Sequence, residues 1–190
     1  MESTADTEIA DEELVRRYLA NGGRQHLDTL LERHIERVRS LVYGMVLNHS
    51  DADDLTQEVF LRVTKNLGQF KGNSKFTTWL YRVTVNTSSR FLEQRGRLHS
   101  EHSWVDGEPL DRPATGPVNQ ALSGEATRAI ADALATLTPA LRTAMVLVVL
   151  EGLPVEEAAK IEGCKTSTIY WRIHEGRKIL KQRLESYLAP

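Results

Sequence analysis

The stretch VEEAAKIEGCKTSTIYWRIH, Val155 to His174, restricts the fold more than any other part of the chain. Two helices that cross closely need a small residue at the crossing, and Ala159 supplies it. The turn between them needs a residue that tolerates positive φ, and Gly163 follows four residues later. The second helix must bury a branched apolar side chain against the first. Ile169 is placed to do so, and Ile173, Leu180 and Leu184 continue its seam. This is helix-turn-helix spacing.

The rest of the chain reads as helix as well. Leu27, Leu30, Leu31, Ile35, Val38, Leu41, Val42 and Met45 recur at steps of three and four, predicting a helix over 24–48. Asn48, His49 and Ser50 break that pattern. Ser50 or Asp51 can cap the next helix, and Asp53 and Asp54 suit its positive end. Leu55, Val59 and Val63 stripe this second helix, which ends near Gly68. A loop spans Gln69 to Phe76, and a third helix runs from about Thr77 to Gln94. The β-branched run RVTVNT raises a strand as an option there, but the spacing of Trp79, Leu80 and Val83 favours helix.

Beyond Gly96 the periodicity stops. Gly107, Pro109, Pro113, Gly116 and Pro117 interrupt a stretch in which acids outnumber bases. A linker over 98–117 is long for a connection inside one compact domain, so a boundary is expected here. Trp104 and Leu110 are its candidate anchors. Helical pattern resumes near Val118. Thr138 followed by Pro139 is a strong helix start, and Pro154 opens a short helix that stops at Gly163. The expected fold is all-α: an acidic segment with a short helix (1–23), a helical domain (24–97), the linker (98–117) and a second helical domain (118–190).

Charge is unevenly spread along the 190 residues, although the net charge is only -2. Six acids and no Lys or Arg fall in the first thirteen residues, while Lys165 to Arg183 carries six bases against Glu175. A basic end on a near-neutral chain predicts a local anionic partner. In helix-turn-helix geometry the second helix offers its N-terminal half to the major groove of DNA. Thr166, Ser167 and Thr168 open that helix, with either of the first two able to cap it. Thr168, Tyr170, Trp171 and His174 face outward, and Arg172, Arg177 and Lys178 stand near phosphates. Tyr170 and Trp171 can equally pack on a neighbouring helix, and Glu175 can accept from a cytosine amine or face solvent.

The N-terminal half then supplies a resemblance. DADDLTQEVFLRVTKNLGQFKGNSKFTTWLYRVTVNTSSRFLEQRGR, Asp51 to Arg97, resembles conserved region 2 of bacterial sigma factors. LTPALRTAMVLVVLEGLPVEEAAKIEGCKTSTIYWRIHEGRKIL resembles region 4. The order and the linker between them resemble the extracytoplasmic-function group, which keeps only these two regions. The resemblance implies a factor that binds core RNA polymerase and directs promoter-specific initiation. Asp54, Gln57 and Glu58, with Asp51 and Asp53 alongside, would grip the clamp helices of the largest subunit. The bland reading of these acids is that they complement the helix N-terminus.

Phe70, Lys71, Asn73, Ser74 and Lys75 resemble the loop that captures a base flipped from the −10 element. Asn73 and Ser74 would bond the base, and the two lysines would hold the backbone. Arg82, Asn86 and Arg90 share a flank of the third helix; Asn86 would help form the base pocket and the arginines would meet phosphates. Trp79 reads as core. The second helix of the helix-turn-helix matches the reader of the −35 element. Implied partners are core polymerase, through its clamp helices and flap, promoter DNA and an anti-sigma factor that holds the two domains.

Other classes find little support. His99 and His102 have HxxH spacing but no third ligand nearby, and the lone Cys164 builds no zinc cluster and no disulfide within the chain. Cys164 reads as a small turn residue. No Gly-rich phosphate loop or nucleophile elbow appears, so neither an enzyme nor a cofactor or metal is expected. No apolar run approaches the roughly 20 residues of a membrane span, and the acidic N-terminus is unlike a signal peptide, which predicts a cytoplasmic protein without membrane insertion. The alternative is a stand-alone helix-turn-helix regulator. It would have no use for Asp54–Glu58 and Phe70–Ser74.

Overall fold

The computed structural model describes residues 9–101 and 124–188, all helices and their connections, with no strand among them. In the first half, α1 (Asp11–Asn21) ends at Gly22 in the left-handed region, φ 64°. It leads into α2 (Arg24–Val46), α3 (His49–Asn66), a 3-10 turn (Leu67–Gln69) and α4 (Phe76–Glu101). The second half comprises α5 (Gly124–Ala135), α6 (Pro139–Met145) running into a π-helical turn (Val146–Leu150), α7 (Val155–Glu162) and α8 (Thr166–Leu188).

Several helix ends differ from expectation. The cap of α3 is Asn48, not Ser50 or Asp51: its side chain accepts from the Asp51 amide at 2.9 Å. Leu47 closes α2 with φ 59°, a conformation that costs a leucine about 1 kcal/mol or more. Burial of its side chain and the bond from its amide to the Tyr43 carbonyl offset that cost. Pro139 opens α6 as expected, but Thr138 contributes its carbonyl, to the Arg142 amide, and no hydroxyl cap. Thr166 and Ser167 lie inside the first turn of α8, whose first bonds go to the Lys165 carbonyl. Helix α4 runs on to Glu101, so residues 98–101, His99 included, are helical rather than linker. His102, Trp104, Leu110 and the glycine- and proline-rich stretch fall outside the described residues.

The first-half core gathers Leu14 from α1, Leu30, Val38 and Leu41 from α2, Val59 and Val63 from α3, and Phe76 and Leu80 from α4, all fully buried or nearly so. Each such side chain contributes roughly 1.5–3 kcal/mol by leaving water. The second half closes on Ala144, Leu147, Ala158, Ile161, Ile169 and Ile173.

The two halves pack on each other. Helix α2 packs on α6 and the π turn, and α4 packs on α7. Gly44 makes the first contact possible, because a Cβ there would stand 2.9 Å from both methyls of Val146. Arg142 spans the joint. Its guanidinium donates to the Leu134, Ala135 and Leu137 carbonyls at the end of α5 and to the Met45 carbonyl near the end of α2. It thus meets the negative ends of two helices at once. Glu151 receives Ser40 at 3.1 Å and Arg37 at 3.4 Å.

Candidate nucleic-acid and partner interfaces

The acidic motif of α3 splits by orientation. Asp53 pairs with Arg39 of α2 at 2.5 Å, and Asp51 pairs with Arg95 of α4. The bond from Arg39 holds the Asp53 carboxyl below the usual carboxylate range. Both acids therefore join neighbouring helices within this half. Asp54 and Gln57 are exposed, and Glu58 is half-buried beside Arg62 at 2.5 Å. These three fall at i, i+3 and i+4 and so share a face. One more turn along it stands Leu61, 68% exposed. Sequence reasoning missed Leu61 because an apolar residue at a helical step is ordinarily assigned to the core.

The loop 71–75 is exposed throughout, with Gly72 at φ 73° making its turn. Its base is an aromatic cluster. Phe70 and Phe76 meet edge to face at 5.7 Å, and Trp79 lies 5.8 Å from each. Trp79 is thus packed against the core, as read from sequence. Phe70 is half-buried in the same cluster, so its ring braces the loop. Ser74 donates to the Lys75 carbonyl at 3.3 Å, while Lys71, Asn73 and Lys75 point no side-chain bond at the rest of the described chain.

On α4, Asn86 and Arg90 are exposed. Arg82 is engaged: its guanidinium donates to the Lys160 carbonyl of α7 at 2.7 Å. Thr78, one turn earlier, donates to Glu157 at 2.7 Å. The first helix of the helix-turn-helix therefore covers the start of the α4 flank.

The helix-turn-helix has the expected internal geometry. Ala159 is buried, Gly163 turns at φ 65° with its amide region closed onto the Ala159 carbonyl, and Ile169 and Ile173 are buried. Tyr170 and Trp171 are 58% and 60% exposed, so neither packs on a neighbouring helix. Ser167, His174, Arg177 and Lys178 are exposed beside them, and Thr166 and Thr168 are half-buried. Lys178 lies 3.8 Å from Glu175.

Arg172 departs from its expected place near phosphate. It pairs with Glu162 at the end of α7, and the pair is largely buried. Burial pushes the Glu162 carboxyl above its ordinary range, with the charge and hydrogen bond of Arg172 pulling the other way. Its second oxygen is buried without a partner, which fits the upward direction. Burial and the Glu162 charge also push the Cys164 thiol up, so it is no activated thiolate. Among the described residues no His, Cys, Asp and Glu group could hold a metal ion, and no helix is long and apolar enough to cross a membrane.

An exposed acidic face, a loop with two lysines on an aromatic base and a helix-turn-helix thus stand on one chain. Residues 30–98 match the family described as Sigma-70 region 2, and residues 127–180 the family described as Sigma-70, region 4. The ECF RNA polymerase sigma-E factor of Haemophilus influenzae is 31% identical over 185 residues, 94% of this chain and 97% of that protein. The ECF RNA polymerase sigma factor SigE of Mycolicibacterium smegmatis is 38% identical over 166 residues, 85% of this chain and 61% of that one. Among solved structures, the sigma factor RpoE of Bartonella quintana, in complex with the anti-sigma factor NepR, matches with a TM-score of 0.70. It is 24% identical and covers 82% of this chain and 94% of that one. CnrH, in complex with the cytosolic domain of CnrY, matches with a TM-score of 0.69 at 22% identity, over 94% of this chain and 99% of its own. At these identities the two structures show a shared fold.

The chain belongs to the ECF RNA polymerase sigma factors. Its function is to direct promoter-specific initiation by RNA polymerase.

Proposed function

We propose that this sigma factor grips core polymerase with the α3 face of Asp54, Gln57, Glu58 and Leu61. The observation that carries the reading is that face. It sets exposed carboxylate and amide groups around one exposed leucine, a surface suited to a basic helix with an apolar stripe. Asp51 and Asp53 then act indirectly, by fixing α3 against α4 and α2. Loop 71–75 takes the −10 element, with Asn73 and Ser74 on the flipped base, Lys71 and Lys75 on the backbone, and Asn86 and Arg90 along the flank. Helix α8 takes the −35 element through Ser167, Thr168, Tyr170, Trp171 and His174, with Arg177 and Lys178 on phosphates. Arg172 serves by locking α8 to α7 through Glu162.

The docked arrangement bears on this division of labour. One terminal nitrogen of the Arg82 guanidinium is held by the Lys160 carbonyl, so turning the whole group onto a phosphate would release α7 from that bond. Use of Arg82 at the −10 element therefore competes with its contact to α7. The two solved relatives are bound to an anti-sigma factor in one case and to a partner's cytosolic domain in the other, which supports an anti-sigma partner here too. The protein works by binding and positioning rather than by catalysis, in the cytoplasm where polymerase and DNA meet. A stand-alone regulator would leave the α3 face and the loop without a task.

Charge reversal tests the reading. Asp54→Lys with Glu58→Lys should weaken core binding by about a hundredfold or more, because buried charge pairs at interfaces are worth roughly 2–5 kcal/mol each. Circular dichroism should be unchanged, since both side chains face outward. Core affinity within threefold of the parent would remove the assignment.

A further inference from the structure

Helix α4 begins without a cap of its own. The residue before it is Lys75, whose side chain has no acceptor, and Ser74 spends its hydroxyl on the Lys75 carbonyl. The first amide of the helix, at Phe76, is nonetheless bonded. Its acceptor is Glu12 of α1, 2.7 Å away and 64 residues earlier in the chain. The carboxylate sits on the positive end of α4 and makes a charge-assisted bond there.

Glu12 is held in that position by its neighbours. Asp11 receives Arg33 at 2.9 Å and His34 at 2.7 Å, which pins the start of α1 to α2. Leu14 and Val15 bury in the core, and the His34 ring lies 5.6 Å from that of Phe76. Helix α1 also packs on the Leu67–Gln69 turn. It therefore touches the chain on both sides of loop 71–75. This helix precedes residue 30, where the match to region 2 begins.

We infer that Glu12 is a positioning residue for base capture. By holding the Phe76 amide it fixes the downstream base of the loop, and so sets where Asn73 and Ser74 stand when a −10 base is flipped toward them. This rests on the reading of loop 71–75 given above. The acidic N-terminal segment thus contributes to promoter specificity without touching DNA.

The test uses holoenzyme made from the full chain and core polymerase. It selects open complexes from a promoter pool randomised over the −10 and −35 elements. Four proteins are compared: the parent, Glu12→Ala, Glu12→Gln, and Asn73→Ala with Ser74→Ala. Glu12→Ala should lower the preference at the flipped base about tenfold, within the range of one lost base contact, and leave the −35 preference intact. Glu12→Gln keeps an acceptor oxygen and should retain most of the preference. Hydrogen exchange at the Phe76 amide should quicken in Glu12→Ala and stay near the parent rate in Glu12→Gln.

If the Asn73/Ser74 variant keeps the parent's −10 preference, the loop reading itself is wrong. If that variant loses it while Glu12→Ala keeps it, the loop stands and the role of Glu12 is overturned. Loss of both promoter preferences, loss of the fold in Glu12→Ala, or an unchanged Phe76 exchange rate overturns it as well.

Discussion

The two halves of this molecule hold their presenting helices by opposite means. Helix α8 is set by local devices: the left-handed Gly163, the buried Ile169 and the Glu162–Arg172 pair all lie within one short stretch. Helices α3 and α4 are set from a distance. Asp53 reaches back to Arg39, Asp51 forward to Arg95, and the start of α4 is capped by Glu12. A locally held helix can be presented by a small unit. A helix held from a distance depends on the whole half being assembled, which ties loop 71–75 to the surface proposed to grip polymerase.

The largest expected effect tests whether the second half stands by itself. Ile169→Ala should cost about 2–5 kcal/mol, because the side chain is fully buried between α7 and α8. Calorimetry should show the loss in a transition assigned to the second half, with amide exchange in α2 and α3 unchanged. A uniform loss across both halves would mean that they unfold as one unit.

Next comes the reading surface. Tyr170→Ala with Trp171→Ala removes two exposed aromatics and should weaken −35 binding by about 1–3 kcal/mol. Core affinity and thermal stability should not move. A fall in melting temperature instead of a fall in promoter affinity would return both residues to a packing role.

Two glycines sharpen the comparison at the contacts they permit. A Cβ on Gly44 meets the branched Val146 at 2.9 Å, and one on Gly176 meets Met145 at 2.8 Å. Each alanine gains up to about 1 kcal/mol of helix propensity. Val146 cannot rotate away, whereas the unbranched Met145 can. Gly44→Ala should therefore be a net loss of about 1–2 kcal/mol that loosens the halves, read as a larger radius of gyration. Gly176→Ala should stay within about 1 kcal/mol of neutral. Equal costs would show that the joint is no tighter than the interior of the second half.

The smallest effect is a divergence with pH. Burial would raise the Asp11 carboxyl, but His34 and Arg33 outweigh it and hold the group below its ordinary 3.8. Its contribution is present above that value and fades as pH falls through the depressed one. Glu162 is displaced upward from 4.5, so its ionisation costs stability as pH rises from there, and acidification favours the second half. Acid should thus loosen α1 before α8. Asp11→Asn, losing about 1 kcal/mol at neutral pH, should flatten the acid slope of the first half.

What the sequence made legible follows the same division. The spacing of Ala159, Gly163 and Ile169 predicted the helix-turn-helix because each constraint acts within a few residues. The Leu27–Met45 periodicity predicted α2 for the same reason. The docking of the halves was not legible. Arg142 reads as an ordinary basic residue in α6, and nothing nearby announces that its acceptors include the carbonyl of Met45. Arg172 reads from sequence as a phosphate contact because it lies on the second helix of a helix-turn-helix, and its commitment to Glu162 depends on how α7 crosses α8. Leu61 shows the converse limit: helical periodicity marks a face but not what covers it.

The central claim is that one chain couples a polymerase-gripping half to two promoter-reading surfaces. Run-off transcription with purified core polymerase tests it most directly. The pool of templates is randomised over the −10 and −35 elements, and the parent protein is set beside Asp54→Lys with Glu58→Lys. The parent should select promoters and yield transcripts of defined start, and the reversed variant should yield none while remaining folded. Promoter binding without a transcript from the parent, or full transcription by the reversed variant, would contradict the account.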